Sequence, residues 1–535
     1  MKRLFCWITG FLLVVGLLQP FTNVHAQRSG WTTPFEVSPP VPGISDASLQ
    51  PSPTPSADGK EIRYGSSWFP SIAIGPKGSV HIVWYSGIAT TADSSGSIDM
   101  LMYRELRDGV WSPVNNVAVT AFGGLTVRNS IVMSRDGRLH VLMRTGTRIR
   151  HTSAPWDQAF SAVSWSEPRT VSGDGAYYTV LGIDQQGRLH AFWSQSVPDP
   201  PGKPRPECPG CANLFYRFSD TGGDTWSEPV NLSNSPYGDN RPQVKVDSND
   251  RVHVVWDQGL DWYAGQGKPK HGVYRRSDDR GATWRPPVYF TVPGDAVQQT
   301  TIGIAAGDSP IVVYRTLKGE VFYQHSRDGG DTWSSPERVP GVVARDTQGN
   351  NLDQYTMATD GAGQVHLLIV GYLTTQTNII PDLSPPPALL HLTWNGSRWS
   401  APEVVVANDL FPEWPALAVS NGNRLHAVWY TRSLEDRSMS ERARYRVWYS
   451  SRSLGLPETA PLPLFTPVPT AAPTALPTAT PVPPTPTLLP EDVAMAPPIT
   501  GPPRWETAAL PVLALALLPP IAIVAIVYTV RRWRR

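Results

Sequence analysis

Seven residues stand at the same place in a repeated pattern and include the groups that anion chemistry needs. Each closes an apolar run such as SVHIVWY, RLHVLMR or RVHVVWD: Tyr85, Arg144, Ser194, Asp257, Arg315, Val370 and Tyr430. Arg241 and Arg432 lie close by in sequence. A guanidinium grips a carboxylate with two parallel charge-assisted hydrogen bonds. Arg144, Arg241, Arg315 and Arg432 are therefore candidate ligands for a carboxylate-bearing molecule, with one acid and two phenols among the same set. The competing reading is solvated charge on unrelated loops. The segment WDQGLDWYAGQGKPKHG adds Trp262 and Tyr263, whose rings can stack on a sugar while Asp257 or Asp261 bonds its hydroxyls. The same aromatics can also serve only to anchor that loop.

Two other groups invite a metal reading and do not support it. A His recurs in the apolar runs at 81, 140, 190, 253, 366 and 426. One copy per repeat separates these residues in space, so a structural hydrogen-bonding role is expected. Cys208 and Cys211, in ECPGCAN, lack a second CxxC to complete a zinc site. Strand-like sequence follows them where a thioredoxin-like motif needs a helix, and a local disulfide is expected. No metal and no cofactor is expected.

The apolar runs imply the elements that position them. Before each lies a short Gly/Asp turn (GPKG, SRDG, DQQG, DGAG) and another apolar strand, which makes a β-hairpin. The unit recurs at 50 to 63 residues, taking Ile311 as the counterpart of the His. A third strand, a turn and W-x-x-P complete it, as in FYRFSDTGGDTWSEPV and VYRRSDDRGATWRPPV. Six copies carry that ending and the seventh lacks it. Trp31-Thr-Thr-Pro34, before the first unit, supplies the missing piece. A β-propeller closes its ring in this way, leaving no open sheet edge. Residues 27–453 are read as an all-β, seven-bladed propeller of four-stranded blades, its last blade closed by the N-terminal strand.

The turns between third and fourth strands carry a further pattern. SDTGGDTW, SDDRGATW and SRDGGDTW share Ser, Gly, Thr and Trp at fixed spacing: Ser219, Gly223, Thr225 and Trp226; Ser277, Asp279, Gly281, Thr283 and Trp284; Ser326, Asp328, Gly330, Thr332 and Trp333. Gly supplies φ > 0, Asp accepts amide hydrogens of its own turn, and Trp anchors it. This S-x-D-x-G-x-T-W pattern resembles the Asp box, the bacterial neuraminidase repeat of sialidases and related propellers; Thr221 replaces Asp in the first copy. The turns build the fold and do no chemistry on this reading.

The resemblance implies that function lies on the opposite face, where the loops leaving second strands are long: Gly87–Asp99, Gln195–Ala212, Gln258–Gly272, Tyr372–Leu389 and Thr431–Arg444. A sialidase would use a Tyr nucleophile with a Glu partner, an Asp acid and an Arg cluster; Asp257 and Tyr430 are the catalytic candidates it suggests. The chain departs from that family in two ways. Trp68-Phe69-Pro70 stands where a Phe/Tyr-Arg-Ile-Pro start would be, and seven units replace six blades.

The flanks suggest where the propeller works. Lys2, Arg3, an apolar run and Val24-His25-Ala26 read as a secretory signal over 1–26. The run is short for an uncleaved anchor. Residues 454–507 are rich in Pro and Thr and read as an extended, disordered stalk, open to O-glycosylation. Residues 508–530 suit one membrane span, with Pro511, Pro519 and Pro520 as kinks, and the Arg-rich tail 531–535 points to the cytoplasm. Pro498-Ile-Thr-Gly501 resembles a sortase signal but has Pro497 for its leading Leu, which favours a retained anchor. A net charge of +1 gives no reason to expect nucleic acid. The expectation is a monomeric, cell-surface propeller binding extracellular glycan or protein; the alternatives are an exo-sialidase-type glycoside hydrolase and a non-catalytic scaffold.

Overall fold

The computed structural model describes residues 30–38, 54–55, 61–90, 98–121, 125–199, 201–261, 264–345, 354–376, 386–408, 410–433, 445–460 and 464. The expected signal, nearly all of the stalk, the hydrophobic segment with its Arg tail, and Trp262 and Tyr263 lie outside them. The chain divides into two units, 1–468 and 469–535, and every described residue belongs to the first. Among the described residues no helix is long and apolar enough to cross a membrane.

Seven antiparallel sheets follow one another along the chain. The first two strands of each form the hairpin that the apolar runs predict. They are Glu61–Ile74 with Val80–Thr90, Leu125–Met133 with Arg138–Thr145, and Ala176–Ile183 with Leu189–Ser196. Then come Gly238–Val246 with Val252–Gly259, Val297–Ala305 with Ser309–Thr316, Thr356–Thr359 with Val365–Leu373, and Leu410–Ser420 with Arg424–Ser433. We call these blades 1 to 7. Blade 1 gains a short strand, Thr54–Pro55, beside its first strand, and its third strand takes two partners, Val110–Trp111 and Asn115–Ala121; blade 6 has a second short partner, Val342–Ala344, on the C-terminal end of its second strand.

The ring closes where W-x-x-P at the N-terminus requires. Phe35–Glu36 pairs antiparallel with Trp448 and Tyr449 in the third strand of blade 7. Trp31 bridges Arg452, and the Val37 amide donates to the Val447 carbonyl at 2.8 Å. This removes the exposed edge that an unclosed blade would present.

The apolar core is divided the same way. Among the described residues it forms seven clusters, each drawn from two neighbouring blades. Strand side chains alternate between the two faces of a sheet, so each blade feeds the cluster on either side. The second-strand Trp84, Trp193, Trp256 and Trp429 are almost fully buried.

The recurrent His residues are tied into this packing. The Nδ1 atoms of His81, His190, His253 and His426 meet the hydroxyls of Tyr103, Tyr216, Tyr274 and Tyr449 at 2.7–2.8 Å. Their Nε2 atoms face Ser79, Asp184, Asp247 and Ser420. Both ring nitrogens of His81, His253 and His426 are thus hydrogen-bonded by protein, and His190 Nε2 approaches Asp184 at 3.4 Å.

The Ser-Asp-Gly-Thr-Trp turns reach across blades. In the turn of blade 4, Thr283 donates its amide to Asp279 Oδ1 at 2.7 Å and its hydroxyl to Oδ2 at 2.5 Å. The Gly281 amide donates to Ser277 Oγ at 2.7 Å. Blade 5 repeats this with Asp328, Thr332, Gly330 and Ser326. In blade 3 the Thr221 hydroxyl accepts the Thr225 amide at 2.8 Å in place of a carboxylate. Trp284 then packs edge-on against Tyr216 of blade 3, and Trp333 against Tyr274 of blade 4. These two turns seal the His–Tyr pairs of the blades before them, and Trp226 of the blade 3 turn meets His151 of blade 2 edge-on.

Candidate functional site

The first strand of a blade is the innermost, and in six blades it carries a register break just before its apolar run. The breaks fall between Trp68 and Ser71, Leu125 and Asn129, Ala176 and Thr179, Asn240 and Gln243, Gln298 and Thr301, and Glu413 and Ala416. A bulge turns one extra side chain out of the ladder. Phe69, Arg128, Tyr178, Arg241, Gln299 and Trp414 hold that place, with Gln354 as the blade 6 counterpart. Phe69, Arg241, Gln299 and Trp414 take φ between 47° and 56°, a left-handed conformation that non-glycine residues seldom adopt. The strain recurs around the ring, which marks it as part of the architecture.

Six of these residues, all but Gln299, line one cavity of about 330 Å³ in the central channel. Its described lining contains Arg128, Arg241 and Lys245 and no aspartate or glutamate. Arg128 is the most distinctive. Its guanidinium carbon lies 4.2 Å from the Phe69 ring centre, 4.5 Å from Tyr178 and 4.6 Å from Trp414. The side chain is 4 % exposed, and its Nε and Nη1 have no hydrogen-bond partner among the described residues. Aromatic faces stabilise a cation by cation–π attraction but accept none of its strong hydrogen bonds. The cage therefore holds a guanidinium in place with Nε and Nη1 unused among the described residues. Asn129 fixes the backbone beneath it, donating to the Phe69 carbonyl at 2.9 Å and accepting from Ser71 at 2.6 Å.

A second cluster lies between blades 5, 6 and 7. Tyr430 donates its hydroxyl to Glu413 Oε2 at 2.7 Å, and Arg432 and Arg345 donate to Glu413 Oε1 at 2.5 and 2.6 Å. Burial opposes ionisation of Glu413, but the Arg345 and Arg432 charges outweigh it and hold the carboxyl below its ordinary value. Burial, reinforced by that carboxylate, raises the Tyr430 phenol well above the ordinary tyrosine value. All four side chains are essentially inaccessible. The Phe69 ring stands 5.2 Å from Tyr430 and Tyr445 stands at 5.9 Å.

The other expected residues are dispersed. Asp257 accepts the Gln299 and Thr300 amides, both at 2.9 Å, and the Thr300 hydroxyl at 2.8 Å, so it clasps blade 4 to the bulge of blade 5. Burial raises its carboxyl pKa, against the pull of Arg241. Arg315 donates to the backbone carbonyls of Thr316 and Arg345. Arg144 lies over the Tyr177 ring at 4.7 Å. Arg241 lines the cavity; Arg432 and Tyr430 meet at Glu413. Asp261 accepts the Ala212 and Ala264 amides and ties the blade 4 loop to the Cys208–Cys211 disulfide loop of blade 3.

Sequence reasoning missed Arg128, Phe69, Tyr178, Trp414, Gln354, Arg345 and Glu413. One signal was present. Phe69-Pro70, Arg241-Pro242 and Trp414-Pro415 repeat an X-Pro pair at the bulge, where proline's missing amide leaves a gap in the ladder.

No family model matches the chain, and no curated protein does. Solved structures similar to it include a protein of unknown function from Dyadobacter fermentans, at 15 % identity over 73 % of this chain and 95 % of that one, with a TM-score of 0.43. NanB sialidase from Streptococcus pneumoniae is 12 % identical over 77 % and 72 %, with a TM-score of 0.41. A polysaccharide lyase, an ulvan lyase, is 14 % identical over 60 % and 80 %, with a TM-score of 0.39. At such identities the likeness concerns the fold alone.

Proposed function

We propose that this chain is a cell-surface β-propeller that binds an anionic saccharide at the mouth of its central channel. Arg128 carries the reading: a caged guanidinium with Nε and Nη1 unused, in a cavity whose described lining has no carboxylate, suits a carboxylate or similar anionic group. Phe69, Tyr178 and Trp414 supply faces for a sugar ring, and Gln354 supplies an amide for its hydroxyls. Among the described residues nothing acidic lines the cavity to serve as a proton donor, which favours capture over hydrolysis. The signal-like start, Pro/Thr-rich segment and Arg-flanked apolar segment support extracellular display on a membrane anchor.

A second reading is a sialidase-type hydrolase, favoured by the Tyr430–Glu413 contact with two attendant arginines and by the Asp-box resemblance. It requires Tyr430 to become accessible. One experiment separates the two. Calorimetric titration of the full chain with sialyllactose and glucuronate should show saturable binding, weakened about 10- to 100-fold in Arg128→Met and unchanged in Tyr430→Phe. A fluorogenic sialoside run in parallel should show no turnover. Turnover lost in Tyr430→Phe would replace the binding reading with the catalytic one, and no binding with no turnover would reject both.

A further inference from the structure

The register of the seven hairpins isolates one residue. Opposite each recurrent His, or Ile311 in blade 5, the innermost strand places Ala73, Val132, Gly182, Lys245, Gly303, Ala358 and Ala418. Six of the seven positions hold a small or apolar residue, because side chains there sit where the blades converge. A Cβ added at Gly182 would stand 3.0 Å from Val244, and one at Gly303 would stand 2.6 Å from Val365. Blade 4 alone puts a long cation at this place.

Lys245 lines both the upper cavity with Arg128 and a second cavity at the other end of the channel. Protein surrounds it while part of its surface stays open. Ile72, Ile131, Val246 and Leu417 also line both cavities, so the middle of the channel is apolar. No hydrogen bond or ion pair to its ammonium is made among the described residues. Among the described residues the charged groups around it are engaged elsewhere or face the openings. Arg128 and Arg241 lie toward the mouth. Asp247, two residues along the strand, is engaged by Arg251 at 2.5 Å and His253 at 3.1 Å. Asp308, at the far opening, accepts from Ser248 at 2.6 Å. His253, its cross-strand neighbour, is occupied by Asp247 and Tyr274.

We propose that Lys245 is a nucleophilic amine that condenses with small aldehydes entering the central channel. The nitrogen lone pair attacks the carbonyl carbon and forms the C–N bond. The two amine protons leave with the carbonyl oxygen as water, and an imine remains. An amine does this only when uncharged. Desolvation lowers the Lys245 pKa to about 8, so a sizeable fraction is neutral at physiological pH, against roughly one in a thousand for an ordinary lysine. The proposal uses the cavity but does not need an anion bound at Arg128.

The test treats the full chain with glyoxylate or with uncharged glycolaldehyde, each with cyanoborohydride to reduce any imine to a stable secondary amine. Peptide mass mapping then gives the rate at each lysine. Lys245 should be modified at least about tenfold faster than the exposed Lys318 at pH 7.5, with a midpoint near pH 8. Labelling by both aldehydes, or by glyoxylate alone, sustains the proposal. Labelling no faster than Lys318, or only after unfolding in urea, overturns it. Glycolaldehyde labelling without any saccharide binding would reject the Arg128 reading and leave this one standing.

Discussion

Gly281 has φ of +87°, and a Cβ built there would lie 1.7 Å from the Tyr216 hydroxyl oxygen of the preceding blade. Two demands meet in one residue: a left-handed backbone and space for a neighbour's phenol. Gly281→Ala should cost about 2–4 kcal/mol, from strain and overpacking together. Tyr216→Phe removes the oxygen that the new methyl would strike. In urea melts the double mutant should therefore be more stable than the sum of the two single losses predicts. Additive losses would show that the phenol oxygen is not what excludes the methyl. At this scale the sequence was half legible. The turn chemistry of Asp279 and Thr283 is local, and local spacing reports it. The partner across the blade boundary is about 65 residues distant in the chain (Tyr216 to Gly281), and no spacing rule reaches it. Asp257 illustrates the same limit. Its place at a strand end suggested a rim acid, whereas its carboxylate is engaged by blade 5 amides.

At the level of elements, the repeat was legible because strand period and turn residues recur in order. The closing strand was found by counting: six W-x-x-P endings for seven hairpins. Its stability rests on more than two paired residues. Phe35 stacks on Trp111 at 5.0 Å, Trp31 meets His391 edge-on at 5.5 Å, and Val37 is fully buried. Deleting residues 30–38 should lower the melting temperature by roughly 5–10 °C and expose the edge of Arg446–Ser453. Light scattering should then show association that the intact chain lacks; an unchanged melting temperature would mean that the ring holds without its latch. The bulges were not read. A bulge is a mismatch between two paired strands, and a single strand's sequence shows it only through accompanying residues, here the Pro of three X-Pro pairs. That is why the expected rim residues stand at the ends of second strands while the cavity is lined by the bulges of first strands.

The whole molecule carries a pH dependence that follows from its repeat. Burial lowers the pKa of His81, His140 and His426 to about 3, with lesser effects of Arg107, Arg138 and Arg424, and lowers that of His151 to about 3, with a lesser contribution from His140. A folded pKa below the unfolded value near 6.5 means that the unfolded chain binds protons first as pH falls. The stability is therefore complete above about pH 6.5 and is lost progressively toward pH 3. At pH 5 each such residue withdraws about 2 kcal/mol, so four withdraw up to about 8, which approaches the whole stability of an ordinary domain. Asp239 works in the opposite direction. Burial raises its pKa to about 6, which favours the folded form as pH falls from 6 toward 4. Its gain at pH 5 is only about 1 kcal/mol. The histidines win, and the propeller should be markedly less stable at pH 5.0 than at pH 7.5 in urea titrations. His426→Gln removes one titrating group, so the difference between the two pH values should shrink by about 2 kcal/mol in that variant. Equal stability at both pH values would mean that these buried histidines admit protons when folded, through partners able to reorient, and that their burial is no electrostatic constraint on where this propeller can work.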